Sequence, residues 1–131
     1  MDIVIDTSVI IAVVCNESKR DALIEITRGA RLLAPHSVHW EVGNALSAML
    51  RRNRIGLEQA LQVIAAYSQI PIRFVDAELG ETLAIAARFG LYAYDAYLVR
   101  CALRHGAPLL SLNGGLIQVA QQAGAQVMEV A

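Results

Sequence analysis

Apolar positions recur along the chain with two different periods, and the places where one gives way to the other divide it into short elements. The opening "MDIVIDTSVIIAVV" begins with a β-branched run, so "DIVID" is expected to be a buried strand. Thr7 or Ser8 then offers an N-cap for a helix through "VIIAVVCN". "SKRDALIEITRG" gathers Leu23, Ile24 and Ile26 on one side and stops at Gly29, and "RLLAP" predicts a second strand closed by Pro35. In "SVHWEVGNALSAMLRRNRIG", the spacing of Val38, Val42, Leu46 and Met49, with Leu50, predicts a long helix ending at Gly56. "LEQALQVIAAYSQ" repeats that pattern with Leu57, Leu61, Ile64 and Ala65, a face expected to pack on the core, with a partner surface as the alternative. "IRFVD" is a third strand, and "AELGETLAIAARFG" and "YDAYLVRCALRHG" are helices stopped by glycine. "APLLSL", "GGLIQVAQQAG" and "AQVMEV" complete the chain as strand, helix and strand.

Strands alternating with helices through short connections predict an α/β fold, with a mostly parallel central sheet of about five strands flanked by helices. With no linker, repeat or low-complexity tract, the 131 residues are expected to form one domain spanning 1–131. The hydrophobic share of 56% and charged share of 18% exclude a disordered chain. A net charge of −1 excludes a generally basic nucleic-acid binder, so any nucleic-acid contact must come from a local patch or through bound metal. Cys15 and Cys101 lie far apart in apolar contexts and read as small core residues. The first apolar run contains an Asp and follows no cationic start, and no segment reaches the length of a membrane span. A cytoplasmic protein with no membrane partner is the expectation.

Twelve acidic residues are present, and most fall on polar helix faces or near the termini. Three have apolar company. Asp6 closes the first strand, and ligands of parallel α/β sheets bind outside the carboxyl ends of the strands. Glu41 lies between Trp40 and Val42 near a helix start, where the helix dipole alone would favour a carboxylate. Asp95, in "LYAYDAYLVRCAL", has the form of an N-cap in a crowded apolar stretch. Each has a structural explanation by itself. Together, one strand-end acid and two helix-start acids can converge on one rim of the sheet, where their repulsion calls for a hard divalent cation. Such a site suits water activation in phosphodiester hydrolysis. Asn113, in "SLNGGL" after the fourth strand, is a further rim candidate and also a plausible turn and N-cap beside Gly114 and Gly115.

The ordered set "VIDTSVIIA", "HWEVGNAL", "YDAYLVRCALRHG" and "PLLSLNGGL" resembles the PIN domain, and in particular the VapC toxins of toxin–antitoxin pairs. The resemblance covers essentially the whole chain. It implies a PIN-type ribonuclease dependent on Mg²⁺ or Mn²⁺, with Asp6, Glu41 and Asp95 matching the family's three central acids as catalytic and metal-holding residues. Thr7 and Ser8 match the hydroxyl residues that orient the first acid or a metal-bound water. Asn113 falls where many members carry a fourth acid, a departure that bears on a second metal site. The implied partners are an RNA substrate, a cognate antitoxin and a second copy in a homodimer. A catalytically weak or inactive PIN-like module that binds RNA or protein is the alternative.

No RNA-binding residue is assigned from the sequence. Arg51, Arg52 and Arg54, and Arg100, Arg104 and His105, are cationic clusters that read first as favourable helix C-terminal charge. His36 and His39 precede Glu41, but hard Mg²⁺ avoids imidazole. A haloacid-dehalogenase-like phosphatase needs a second Asp two residues after the first, where this chain has Ser8. A receiver domain needs a lysine late in the chain, and the only lysine is Lys19. No GxGxxG supports dinucleotide binding.

Overall fold

Five short apolar segments pair side by side, all parallel, in a computed structural model that describes residues 1–130. They are β1 (Asp2–Ile5), β2 (Arg31–Pro35), β3 (Ile72–Val75), β4 (Leu109–Leu110) and β5 (Val127–Met128), in the order β3-β2-β1-β4-β5. The chain first builds outward from β1 to β3, then returns to lay β4 on the other side of β1. The strand order therefore reverses between β1 and β4, the position in a doubly wound sheet where a crevice opens beyond the carboxyl ends. Register fixes what emerges there. Ile5 pairs with Leu110, so the next residues, Asp6 and Ser111, leave adjacent strands side by side. Pro35 pairs with Val75, which places His36 beside Asp76 in the same way.

Seven helices among the described residues connect the strands: α1 (Thr7–Val14), α2 (Arg20–Thr27), α3 (His36–Arg51), α4 (Leu57–Tyr67), α5 (Leu79–Phe89), α6 (Ala93–His105) and α7 (Gly114–Gln122). Parallel neighbours need crossovers of this kind, and the helices cover the sheet faces that would otherwise expose Ile3, Val4, Ile5, Leu109 and Leu110. α6 presses Leu98, Val99 and Ala102 into that core. Both α5 and α6 end on a left-handed glycine, Gly90 (φ 66°) and Gly106 (φ 57°), a conformation that side-chain-bearing residues rarely adopt. Cys101 is buried and Cys15 half-buried, both free, as core packing requires. None of the described helices is long and apolar enough to cross a membrane.

Four local expectations change. The cap of α1 is Asp6 itself, whose carboxylate accepts from the Val9 N–H, rather than Thr7 or Ser8. α6 begins after Tyr92, so Asp95 sits in its first turn and is not its cap. α3 stops at Arg51 rather than Gly56, and Asn53 takes a positive φ of 54° in the connection. The stripe of α4 formed by Leu57, Leu61 and Ile64 faces solvent, at 65%, 58% and 39% exposure, while Ala60 and Tyr67 make the buried contact.

Candidate active site

Asp6 is the most constrained side chain at the rim, only 5% exposed. Its Oδ1 accepts from the Ser8 hydroxyl at 2.6 Å and the Val9 N–H at 3.2 Å, and its Oδ2 accepts from the Ser111 hydroxyl at 2.5 Å. The serines are fixed in turn, because Ser8 Oγ accepts from the Leu112 N–H and Ser111 Oγ from the Asn113 N–H. Burial pushes the Asp6 carboxyl above its ordinary value, the three donors pull it back, and the charge of Asp95 pushes it up again.

Glu41 reaches the same rim from the second turn of α3. Thr7 donates to its Oε2 at 2.8 Å, while Oε1 is buried with no hydrogen-bond partner. Desolvation raises its pKa, and the charges of Asp95 and Asp6 raise it further against the opposing Thr7 bond. Asp95, half-buried on α6, is raised by desolvation. The charge of Asp95 therefore bears on both Asp6 and Glu41, and that of Asp6 on Glu41. This is the signature of a site short of positive charge. Among the described residues no three His, Cys, Asp or Glu side chains close into a ready metal cage. The donor set is nonetheless all oxygen, and it retains an unpartnered buried carboxylate oxygen, which suits a hard divalent cation.

Glu41, Asp95 and Thr7 line a cleft of about 870 Å³ together with Asp76 and Leu79. Trp40 and Tyr94 also line it and are largely exposed. The expected roles divide differently from the sequence reading: Ser8 serves Asp6, whereas Thr7 serves Glu41. Asn113 uses its Oδ1 to cap α7 through the Leu116 N–H at 3.3 Å. Arg100 is committed to Glu78 through two hydrogen bonds of 3.1 and 3.2 Å, and Arg104 to Glu78 and the Asp76 carbonyl. His36 pairs with Asp76 at 3.3 Å.

Trp40, Tyr94 and Asp76 line the cleft without having been singled out from the sequence, and Ser111, noted there only beside Asn113 after the fourth strand and given no role, bonds to Asp6. For Ser111 a signal was present: it follows the fourth strand as Asp6 follows the first.

The family model for the PIN domain matches residues 3–122. No curated protein matches the chain. Among solved structures, PAE2754 from Pyrobaculum aerophilum is similar at 23% identity over 97% of this chain and 92% of its own, with a TM-score of 0.71. VapBC2 from Rickettsia felis, solved bound to a DNA fragment from its promoter, is similar at 13% identity over 100% of both chains, with a TM-score of 0.71. Mycobacterium tuberculosis VapC20, a sarcin–ricin loop cleaving toxin, is similar at 14% identity over 94% of this chain and 95% of its own, with a TM-score of 0.64. At these identities the likeness is one of fold.

Proposed function

The chain belongs to the PIN domain family, and from that premise we propose that it is a divalent-metal-dependent endoribonuclease, the toxin of a VapBC-type toxin–antitoxin pair. The observation that carries this reading is the gathering of Asp6, Glu41 and Asp95 at one rim beside an open cleft, with Glu41 Oε1 buried and without a hydrogen-bond partner. Its fold likeness to VapBC2 and VapC20 supports the toxin assignment.

Asp6 and Asp95 would hold Mg²⁺ or Mn²⁺, with Glu41 joining through water. The bound ion supplies the positive charge that offsets the developing negative charge on the scissile phosphate. Ser8, Ser111 and the Val9 N–H favour the ionised form of Asp6 against its burial and fix the carboxylate in one orientation. Thr7 occupies Glu41 Oε2, which leaves Oε1 to accept the proton of an attacking water. The water oxygen bonds to phosphorus, the phosphorus–oxygen bond to the leaving nucleotide breaks, and the departing oxygen takes a proton from solvent. Asn113, engaged as a helix cap, stands outside this set and supports a site without a fourth carboxylate.

The solvent-facing stripe of α4 supports a protein partner, the cognate antitoxin or a second copy in a homodimer, in the cytoplasm. The absence of a closed acidic cage among the described residues favours a second reading, a catalytically weak module that binds RNA or protein. Cleavage of end-labelled RNA in Mg²⁺ or Mn²⁺, by wild type and Asp95→Asn purified identically, separates the two. The proposed function predicts cutting that Asp95→Asn loses. Equal cutting by both proteins removes Asp95 from the mechanism, and none by either favours the binding module.

A further inference from the structure

Three arginines stand together where α3 ends. Arg51, Arg52 and Arg54 are exposed, and among the described residues none of their guanidinium groups enters an ion pair or a hydrogen bond. The backbone that carries them is fixed. Beyond the last turn of α3 the Arg52, Asn53 and Arg54 N–H groups donate to the carbonyls of Ala48, Leu50 and Met49, and Asn53 takes the left-handed φ of 54° that closes such a helix end. The Gly56 N–H then donates to the Gln59 side chain at 3.0 Å, so α4 starts without slack. The helix dipole favours positive charge here. Those carbonyls already have backbone donors, however, so capping does not call for one arginine, still less for three. Like charges this close repel one another until an anion joins them.

Their place on the helix ties them to the cleft. Ser37, Glu41, Asn44 and Ala45 line it from α3. At about 3.6 residues per turn these positions share one face, and that face continues through Ala48 to Arg51 and Arg52. Glu41 is the only acid on α3, and Arg51 lies about 15 Å beyond it along the axis. Between the two ends the face offers only small or neutral side chains. The described residues lining the cleft include no lysine or arginine, and His36 there is paired with Asp76. Arg100 and Arg104 are engaged by Glu78. A polyanion held at the acids must therefore find its permanent countercharge elsewhere, and the cleft face of α3 leads to it.

We propose that this face of α3 is a track for the RNA strand outside the cleft, on which Arg51, Arg52 and Arg54 hold backbone phosphates several nucleotides away from the bond that is cut. Guanidinium groups suit that task because each can donate to two phosphate oxygens at once. At about 3.4 Å per nucleotide along a stacked strand, the distance from Glu41 to Arg51 spans about four or five nucleotides. The track rests on the nuclease reading above. It makes substrate length, rather than base identity, the property these arginines read, because contacts to phosphate position a strand without reading its sequence. It also makes their contribution salt-dependent, since each phosphate neutralised releases counterions.

The test compares the full chain in Mg²⁺ with the triple variant Arg51→Gln, Arg52→Gln, Arg54→Gln and with the matching triple Lys variant. KM and kcat are measured on an RNA of about twenty nucleotides and on one of about four, too short to reach the track, across a range of salt concentrations. On the long RNA, log KM plotted against log salt should be about two units shallower in the Gln variant, at about 0.7 for each of three lost contacts to a single strand. That slope makes the wild-type KM rise roughly twentyfold more than the variant's between about 50 and 200 mM salt. At the low-salt end the Gln variant should have the higher KM, with kcat unchanged, and the Lys variant should recover most of the loss. On the short RNA the three proteins should agree. Should the Gln variant not fold, Arg52→Gln alone carries the test, with a slope change of about 0.7. Equal KM values and slopes for wild type and variant on the long RNA overturn the track while leaving cleavage intact, and assign the arginines to an acidic protein partner. An equal loss on long and short RNA overturns it as well, because the effect would then lie in the cleft. If wild type cuts no RNA, the nuclease reading fails separately, and fluorescence anisotropy of the labelled long RNA decides: binding that the Gln variant loses upholds the track, and binding unchanged or absent overturns it.

Discussion

Ser111 donates a 2.5 Å hydrogen bond to Asp6, joining residues 105 positions apart at the ends of two adjacent strands. That bond is the strongest of the three that offset the cost of burying the Asp6 carboxylate. Removing it leaves Asp6 Oδ2 unsatisfied in a desolvated position, which costs about 1–3 kcal/mol. Ser111→Ala should lower the urea midpoint accordingly at neutral pH, and cleavage should fall because Asp6 loses its fixed orientation. Ser111→Thr, which keeps the hydroxyl, should recover part of both. A Ser111→Ala protein as stable as wild type would show that the bond does not support the site.

Glu41 gains from neutralisation. Burial and the charges of Asp6 and Asp95 all oppose its ionised form. Glu41→Gln keeps the side-chain shape and an oxygen able to accept from Thr7, while removing one repelling charge. The metal-free variant should therefore melt no lower than wild type, whereas stabilisation by Mg²⁺ or Mn²⁺ should shrink and RNA cleavage should be lost. Thermal melts with and without cation check this. A variant that melts markedly lower without cation, yet responds to cation as wild type does, would contradict it.

The acids also set a pH dependence of fixed sign. Asp6, Glu41 and Asp95 titrate above their ordinary values. In the interval between ordinary and raised values the folded protein binds protons that the unfolded chain has released. Their contribution to stability therefore falls as pH rises through that interval. Glu78 works the other way: the Arg100 hydrogen bonds hold it at about 2, so its contribution is present above the ordinary 4.5 and is lost as pH falls towards 2. Metal-free protein melted between about pH 4 and about pH 8 should be most stable on the acidic side, with added Mg²⁺ helping most near neutrality. A cation effect independent of pH would be inconsistent with carboxylate ligands.

The sequence carried the order of elements and the three acids more completely than it carried their surroundings. β-Branched runs such as "DIVID" and glycines such as Gly90 and Gly106 act locally, so strands and helix ends were legible. Asp6, Glu41 and Asp95 stood out because each interrupts apolar neighbours. The pairing of Asp6 with Ser111 depends on register between β1 and β4, which no local pattern encodes. α4 shows the same limit. Periodicity placed Leu57, Leu61 and Ile64 on one face, but it does not say whether that face meets the chain's own core or solvent. The arginines of α6 have a related cause, since only tertiary structure brings Glu78 to Arg100.

The α4 stripe yields a prediction independent of the cleft. Leu61→Glu places a charge on a face that solvent already reaches, so folding stability should change by less than about 0.5 kcal/mol. Self-association, measured by sedimentation, or binding of a co-expressed antitoxin should weaken strongly. Unchanged assembly with both would show that the stripe is not an interface.

The most direct test of the account is cleavage of a mixed RNA pool by the purified protein in Mg²⁺ or Mn²⁺, beside Asp6→Asn prepared in the same way and a chelator control. The account predicts cutting that requires the cation and disappears in Asp6→Asn while the variant remains folded. Cutting that survives the substitution or the chelator would contradict it.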